Sequence, residues 1–242
     1  AVENGDGTAM LDAVVRMQNQ VPNERWAPFL KNHDQTRTLT VLGGDLEGAR
    51  LAATFLLTLP GLPFVYYGEE LGMTGDKPDP RIRTPMHWNL GHAAGFTTGT
   101  PWEPLQDDWQ TANVEVLDGT EASILDLYRE LIRLRLANPA LGASAELVPL
   151  RSDVNGAVAY LRRGEGDAAL VVANLGTEPL ADVDLWSEGE ALEPGDYAPD
   201  ILLGEGDAAP LTVGVNGRFE GYVPLATLEP RRAYVLAITS GP

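Results

Sequence analysis

Near the start of the chain, Met10, Val14 and Met17 recur at helical spacing, in a segment that Thr8 can cap and that ends before Pro22. RWAPFLKNHD, residues 25–34, behaves differently: a compact apolar run breaks abruptly into polar groups. That is the pattern of a buried parallel strand whose C-terminal end opens into a site. Asp45 then stands ahead of LEGARLAATFLLTLP as the cap of a second helix, which Pro60 and Gly61 terminate. LPFVYYGEELGM repeats the theme of an apolar, β-rich run ending in carboxylates. Residues 1–71 therefore read as helix, strand, helix, strand, an alternation that implies a parallel sheet with helical crossovers.

Residues 72–120 show no clear period and are rich in Gly, Pro, Asp, Thr and Trp. A structureless connection of that length in a compact protein is usually functional. Ser123 opens another helix, with Ile124, Leu127, Tyr128, Leu131 and Leu134 along one face and Asn138 and Pro139 closing it. From about residue 143 the pattern changes to short alternating runs, AELVPL, GAVAYLRR, AALVVANL, ADVDLW, LTVGV and RRAYVLAIT, separated by turn residues. These predict an all-β sandwich. The fold class expected is thus α/β plus all-β, with residues 1–141 and 142–242 as the two parts.

Composition narrows the function. The 35 acidic residues outnumber 17 basic ones, and the net charge of -18 repels nucleic acid across most of the surface. The absence of cysteine excludes disulfides, thiolate nucleophiles and cysteine metal sites. No apolar run is long enough to span a membrane as a helix, and no membrane partner is expected. AVENGDGTAM has neither the basic head nor the apolar core of a signal peptide, and residue 1 is not Met, so the expected start is a cut end and localisation stays open between secreted and cytoplasmic.

Two clusters carry candidate chemistry. His33, Asp34 and Arg37 in FLKNHDQTR sit at the C-terminal end of the first predicted strand, where parallel-sheet enzymes hold their reactive groups. A purely structural reading pairs Asp34 with Arg37 and leaves His33 hydrogen-bonded in a buried site. In RIRTPMHW, two arginines beside Pro85, His87 and Trp88 suit a sugar, the arginines orienting hydroxyls and the aromatic face stacking on a ring. A Trp-rich loop packed over a core has the same composition, and Trp102 and Trp109 share that ambiguity. Of Glu69 and Glu70, one is expected to face a cleft and the other to turn away.

FLKNHDQTR, LPFVYYGEELGM, DPRIRTPMHW followed by AGFTTGTPW, and YRELIRLRLANPAL together resemble consecutive signatures of the alpha-amylase superfamily, glycoside hydrolase family 13. The resemblance implies that the NHD segment follows the seventh strand and YYGEE the eighth strand of a (β/α)8 TIM barrel, and that the C-terminal β-sandwich is the family's domain C. It further implies that Asp34 stabilises the oxocarbenium-like transition state and that His33 and Arg83 bind the same sugar. Arg37 joins them as a residue that supports the site. The implied substrate is an α-glucan or maltooligosaccharide.

Retaining glycosidases need a nucleophile and an acid/base carboxylate about 5 Å apart. Asp34 plays neither part in the family pattern, and the strings that carry the other two carboxylates are absent from this sequence. LDAVVR at residues 11–16 imitates the nucleophile string, but Met10 replaces the arginine and no β-run precedes it. Asp12 is therefore read as a helical residue. The expectation is a piece of a retaining α-1,4-glucan hydrolase running from about helix six to domain C and inactive alone, with its open strand flank covered by the missing barrel part or a second copy. An oligosaccharide α-glucosidase or trehalose synthase, or a non-catalytic glucan-binding module, are the alternatives. No cofactor is expected in this segment, since NGDG and GDKPD lack the spacing of a calcium loop; in the family, calcium often binds upstream.

Overall fold

The computed structural model describes residues 1–164 and 166–240, which separate into two compact units. Neither unit is continuous in sequence. One comprises Ala1–Trp26, Thr58–Leu62 and the chain from Leu134 onward; the other comprises Ala27–Leu57 and Pro63–Arg133.

The first unit is built on an antiparallel sheet of β1 (Glu146–Leu150), β2 (Ala157–Arg163), β3 (Ala168–Asn174), β5 (Gly195–Leu203), β6 (Leu211–Val213) and β8 (Arg232–Ser240). Its order is β1-β2-β3-β8-β5-β6, and β4 (Leu180–Ala181) with β7 (Thr227–Leu228) forms a separate two-stranded ribbon. β3 is central and buried at every position, as its run of Ala, Leu and Val requires. Strand alternation puts Ala159 and Leu161 of β2 into one core with Leu170, Val172, Leu228 and Leu236. Tyr160 and Arg162 fall on the opposite face. There Tyr160 Oη lies 2.6 Å from Thr58 Oγ1, and the buried Arg162 guanidinium donates to the carbonyls of Thr58, Gly142 and Ala145.

β5 escaped the sequence pattern because Asp196, Pro199 and Asp200 interrupt it. β6 pairs only with Gly195–Tyr197, so Pro199 lies where β5 has a single neighbour, and its missing N–H costs no ladder bond on that side. α1 (Thr8–Gln18) lies in the same unit. Its cap position is Gly7, not Thr8, and Asp6 Oδ1 accepts the Thr8 N–H. Leu11 and Val14 are its buried residues, Met10 and Met17 are only half-buried, and Asp12 is exposed on the helix. At its end the Gln18 amide bonds both the N–H and the C=O of Leu147, closing the free edge of β1 as a neighbouring strand would.

In the second unit the two expected parallel strands are reduced to one parallel bridge, Phe29 with Phe64, with the Phe64 N–H on Pro28 O at 2.9 Å. Nor are they buried: Phe29 is 48% and Phe64 62% exposed. A strand pair without further neighbours in its own unit has no ladder to extend it and no layer to cover it. The helices lying wholly or mainly in it are α2 (Thr38–Val41), unforeseen because it is a single turn, α3 (Leu46–Thr58), α4 (Asp79–Ile82), α5 (Val114–Leu117) and α6 (Ile124–Ala137). Side-chain caps fix three starts: Asp45 takes the Gly48 N–H, Asn113 the Val116 N–H and Ser123 the Asp126 N–H. No helix among the described residues is long and apolar enough to cross a membrane.

Candidate active site

Asp34 sits five residues beyond the Phe29 bridge, in a turn where its N–H donates to Asn32 Oδ1 at 2.9 Å. Its carboxylate meets Arg83, whose Nη2 lies 2.8 Å from Asp34 Oδ1 and 2.7 Å from Asp79 Oδ2. The same guanidinium donates from Nε to the His33 carbonyl at 2.7 Å. His33 Nε2 is 3.4 Å from Asp34 Oδ2. Three of the four residues singled out in the sequence thus meet at one exposed place, although Arg83 is remote from the other two along the chain. Asp79 was missed; its spacing of four from Arg83 at the start of a short helix was the signal.

Arg37, the fourth, is wholly buried beneath them and does not pair with Asp34. Its Nη1 donates to Tyr67 O at 2.8 Å, its guanidinium carbon lies 4.6 and 4.9 Å from the ring centres of Tyr66 and Tyr67, and its backbone N–H bonds Gly75 O. It is a positioning residue that fastens the NHDQTR segment to the YYGEE turn and to the segment at Gly75. The approach is close enough to exclude a side chain at Gly68: a Cβ there would come within 2.4 Å of Met73 Sδ and 3.2 Å of Arg37 Nη1, and φ is +84°.

The two glutamates divide as expected. Glu69 turns inward, 3.5 Å from Arg37 Nη1 and accepting the Thr38 N–H. At that separation burial outweighs the ion pair, and its carboxyl is pushed above the usual range. Glu70 lines a depression of about 510 Å³ together with Tyr67, Arg83, Trp88, Phe96 and Trp102. Burial raises its carboxyl as well.

His87, by contrast, is fully buried, with Nδ1 donating to Ala112 O at 2.9 Å and burial lowering its pKa. It belongs to the loop's interior rather than to a sugar's contacts. Trp88 and Trp102 are 49% and 59% exposed, and Trp109 is half-buried. Among the described residues no three His, Asp or Glu side chains converge as a metal ion would need.

The sequence matches the family model of the alpha-amylase catalytic domain over residues 3–144, and the chain belongs to that family. It is 36% identical over 151 residues to alpha-amylase 3 of Dictyoglomus thermophilum, covering 62% of this chain and 30% of that protein. It is 29% identical over 253 residues to the probable oligo-1,6-glucosidase 3 of Bacillus subtilis, covering 83% and 45%. The solved alpha-amylase of H. orenii superposes with a TM-score of 0.65 at 33% identity, covering 88% of this chain and 39% of that one. The chain therefore spans less than half the length of these relatives.

Proposed function

We propose that this chain is the closing part of the catalytic barrel, residues 1–141, followed by domain C, residues 142–242, of a retaining α-glucan hydrolase that cleaves α-1,4-glucosidic bonds in starch or maltooligosaccharides. The observation that carries the reading is the exposed Asp34 carboxylate held by Arg83 beside an aromatic-lined depression. In this reading Asp34 binds sugar hydroxyls and stabilises the positive charge that develops as the glycosidic bond breaks. Arg83 fixes the carboxylate's orientation, and His33 contributes a further hydrogen bond to the same sugar. The nucleophile and the acid/base lie outside this sequence, so the chain by itself is inactive and works with the remainder of a barrel.

Reducing-sugar release from soluble starch tests this. The 242-residue chain alone is expected to release none, and Asp34→Asn in the longer native product is expected to lower kcat/KM by roughly a hundredfold or more. Hydrolysis by the isolated chain overturns the claim of missing carboxylates. A second reading, an oligosaccharide α-glucosidase, is favoured by the longer alignment to the oligo-1,6-glucosidase. Activity on short disaccharides with none on starch would select it.

A further inference from the structure

The tripeptide Val-Asn-Gly occurs twice in the chain, at residues 154–156 and 215–217, and both copies lie in the unit built on the six-stranded sheet. An Asn-Gly pair carries a latent reaction of its own. Glycine has no Cβ to shield its backbone nitrogen, so that nitrogen can reach the carbonyl carbon of the preceding asparagine side chain. A bond forms between the glycine nitrogen and Cγ, the Cγ–Nδ2 bond breaks, and ammonia leaves with the proton that the glycine nitrogen gives up. Water then opens the five-membered imide at either carbonyl. The product is aspartate, or isoaspartate, in which the backbone runs through the side-chain carbon. Water is the sole co-reactant.

We infer that Asn155 is a site of this deamidation and that Asn216, with the same two neighbours, is protected from it by the fold. Exposure does not separate them, since both asparagines are exposed. The glycines do. Gly217 is buried, its N–H donates to Gly214 O at 2.9 Å, and its carbonyl accepts from the Ala191 N–H at 2.7 Å. Its φ is +73°, and a Cβ there would come within 2.5 Å of Glu190 Cγ. Asn216 is held as well, its Oδ1 accepting the Arg218 N–H at 3.2 Å, while the Gly214 N–H closes the turn on Arg218 O at 2.8 Å. For its nitrogen to attack, Gly217 has to give up the bond to Gly214 inside a loop fixed on both sides.

At residues 154–156, between β1 and β2, the fastening lies outside the reacting pair. The Ala157 N–H donates to Val154 O at 3.2 Å, closing a four-residue turn, and the Leu175 N–H donates to Gly156 O at 2.8 Å. Among the described residues, neither the Gly156 N–H nor the Asn155 side-chain amide makes a hydrogen bond. The space around the glycine is open too, a Cβ at Gly156 meeting only Gly176 N at 3.8 Å. The turn thus keeps nucleophile and carbonyl adjacent and lets them approach. Conversion places a new negative charge two residues from Asp153, and isoaspartate adds a backbone carbon inside the turn that the Val154–Ala157 bond closes.

The test is peptide mapping of the folded protein, incubated in mildly alkaline buffer below its thermal transition. Deamidation is read by the mass gained when an amide becomes an acid, and isoaspartate by enzymatic carboxyl methylation. Asn155 is expected to convert roughly tenfold or more faster than Asn216, the release of the held Gly217 amide setting the ratio. In urea the two rates should converge, because the two copies then differ only in residues beyond the shared tripeptide. Asn155→Gln should abolish the product in its own peptide and leave Asn216 and the thermal transition unchanged. The third Asn-Gly pair, Asn4–Gly5, follows Glu3 instead of valine and takes no part in the comparison. Equal rates in the folded protein, a faster Asn216, or an Asn155 that converts only in urea overturns the assignment. A ratio that persists in urea overturns it too, since sequence and not the turn would then set it.

Discussion

The two compact units solve the same problem with different materials. In the unit built on the six-stranded sheet, apolar surface is turned inward: among the described residues only Leu62, Leu136 and Val215 are exposed large apolar side chains. The unit carrying Asp34 holds the other eleven among the described residues, Phe29, Phe64, Trp88 and Trp102 included. Its interior around the site is instead fastened by polar groups converging on Arg37. A sheet closes on itself through burial, which is non-directional and tolerant. A loop-built site needs fixed directions, and hydrogen bonds and ion pairs supply them at the risk of a large penalty when one partner is lost.

The largest effect should therefore come from Arg37. Removing one member of a buried ion pair generally costs about 3–5 kcal/mol, and Arg37→Met, which keeps much of the volume, is expected to fall in that range by urea unfolding. Combining it with Glu69→Leu should restore much of the loss, because both charges then leave the interior together. A single substitution costing less than about 1 kcal/mol would show that packing, not polarity, holds this unit. The matching probe of the sheet is Leu170→Ala. Leu170 is 1% exposed in the core, and such truncations cost about 2–5 kcal/mol through lost transfer energy and the cavity left behind. No second substitution that merely restores charge balance should rescue it.

How much could be foreseen follows the same division. Where burial is regular, the pattern of residues sufficed: the short apolar runs in GAVAYLRR and AALVVANL, bounded by turn residues, marked β2 and β3, and Asp45 and Ser123 marked their helices through caps that form as expected. Where part of a strand has only one neighbour, local chemistry hid it, as Pro199 hid β5. The site was legible in its parts but not in its pairing. His33 and Asp34 stood together in sequence, whereas the Arg83–Asp34 contact depends on how the 76–83 segment returns, which no periodicity encodes. The burial of Arg37 was invisible for a related reason: a charged residue reads as surface until its partners, Tyr66, Tyr67 and Glu69, are placed around it.

A smaller effect is expected from pH. Burial raises the Glu70 carboxyl above its ordinary value of 4.5, so the folded chain holds that proton more tightly than the unfolded one. The stabilising contribution is complete below the unfolded value and is lost as pH rises through the folded one. Glu69 is raised in the same sense. Urea midpoints should thus decline from about pH 4.5 upward, over the window in which the two carboxyls ionise, and Glu70→Gln should flatten part of that slope. A midpoint that climbs over the same window, or a slope unchanged in Glu70→Gln, would mean that Glu70 is solvated rather than enclosed.

The smallest effect is the one that most directly challenges the comparison. Phe64 supplies a backbone N–H to Pro28 and is paired with Phe29, yet its side chain is 62% exposed. Phe64→Ala leaves the backbone bond in place and removes a ring that shields little, so its cost should stay within about 0.5 kcal/mol, as for surface substitutions generally. Truncating a buried phenylalanine costs roughly 3–5 kcal/mol, so the two possibilities are well separated by a urea titration. The same variant should bind less of a hydrophobic fluorescent dye, since a contiguous apolar surface takes up such probes. A loss above about 2 kcal/mol would place Phe64 in a working core and erase the contrast between a unit closed by burial and one fastened by polar contacts.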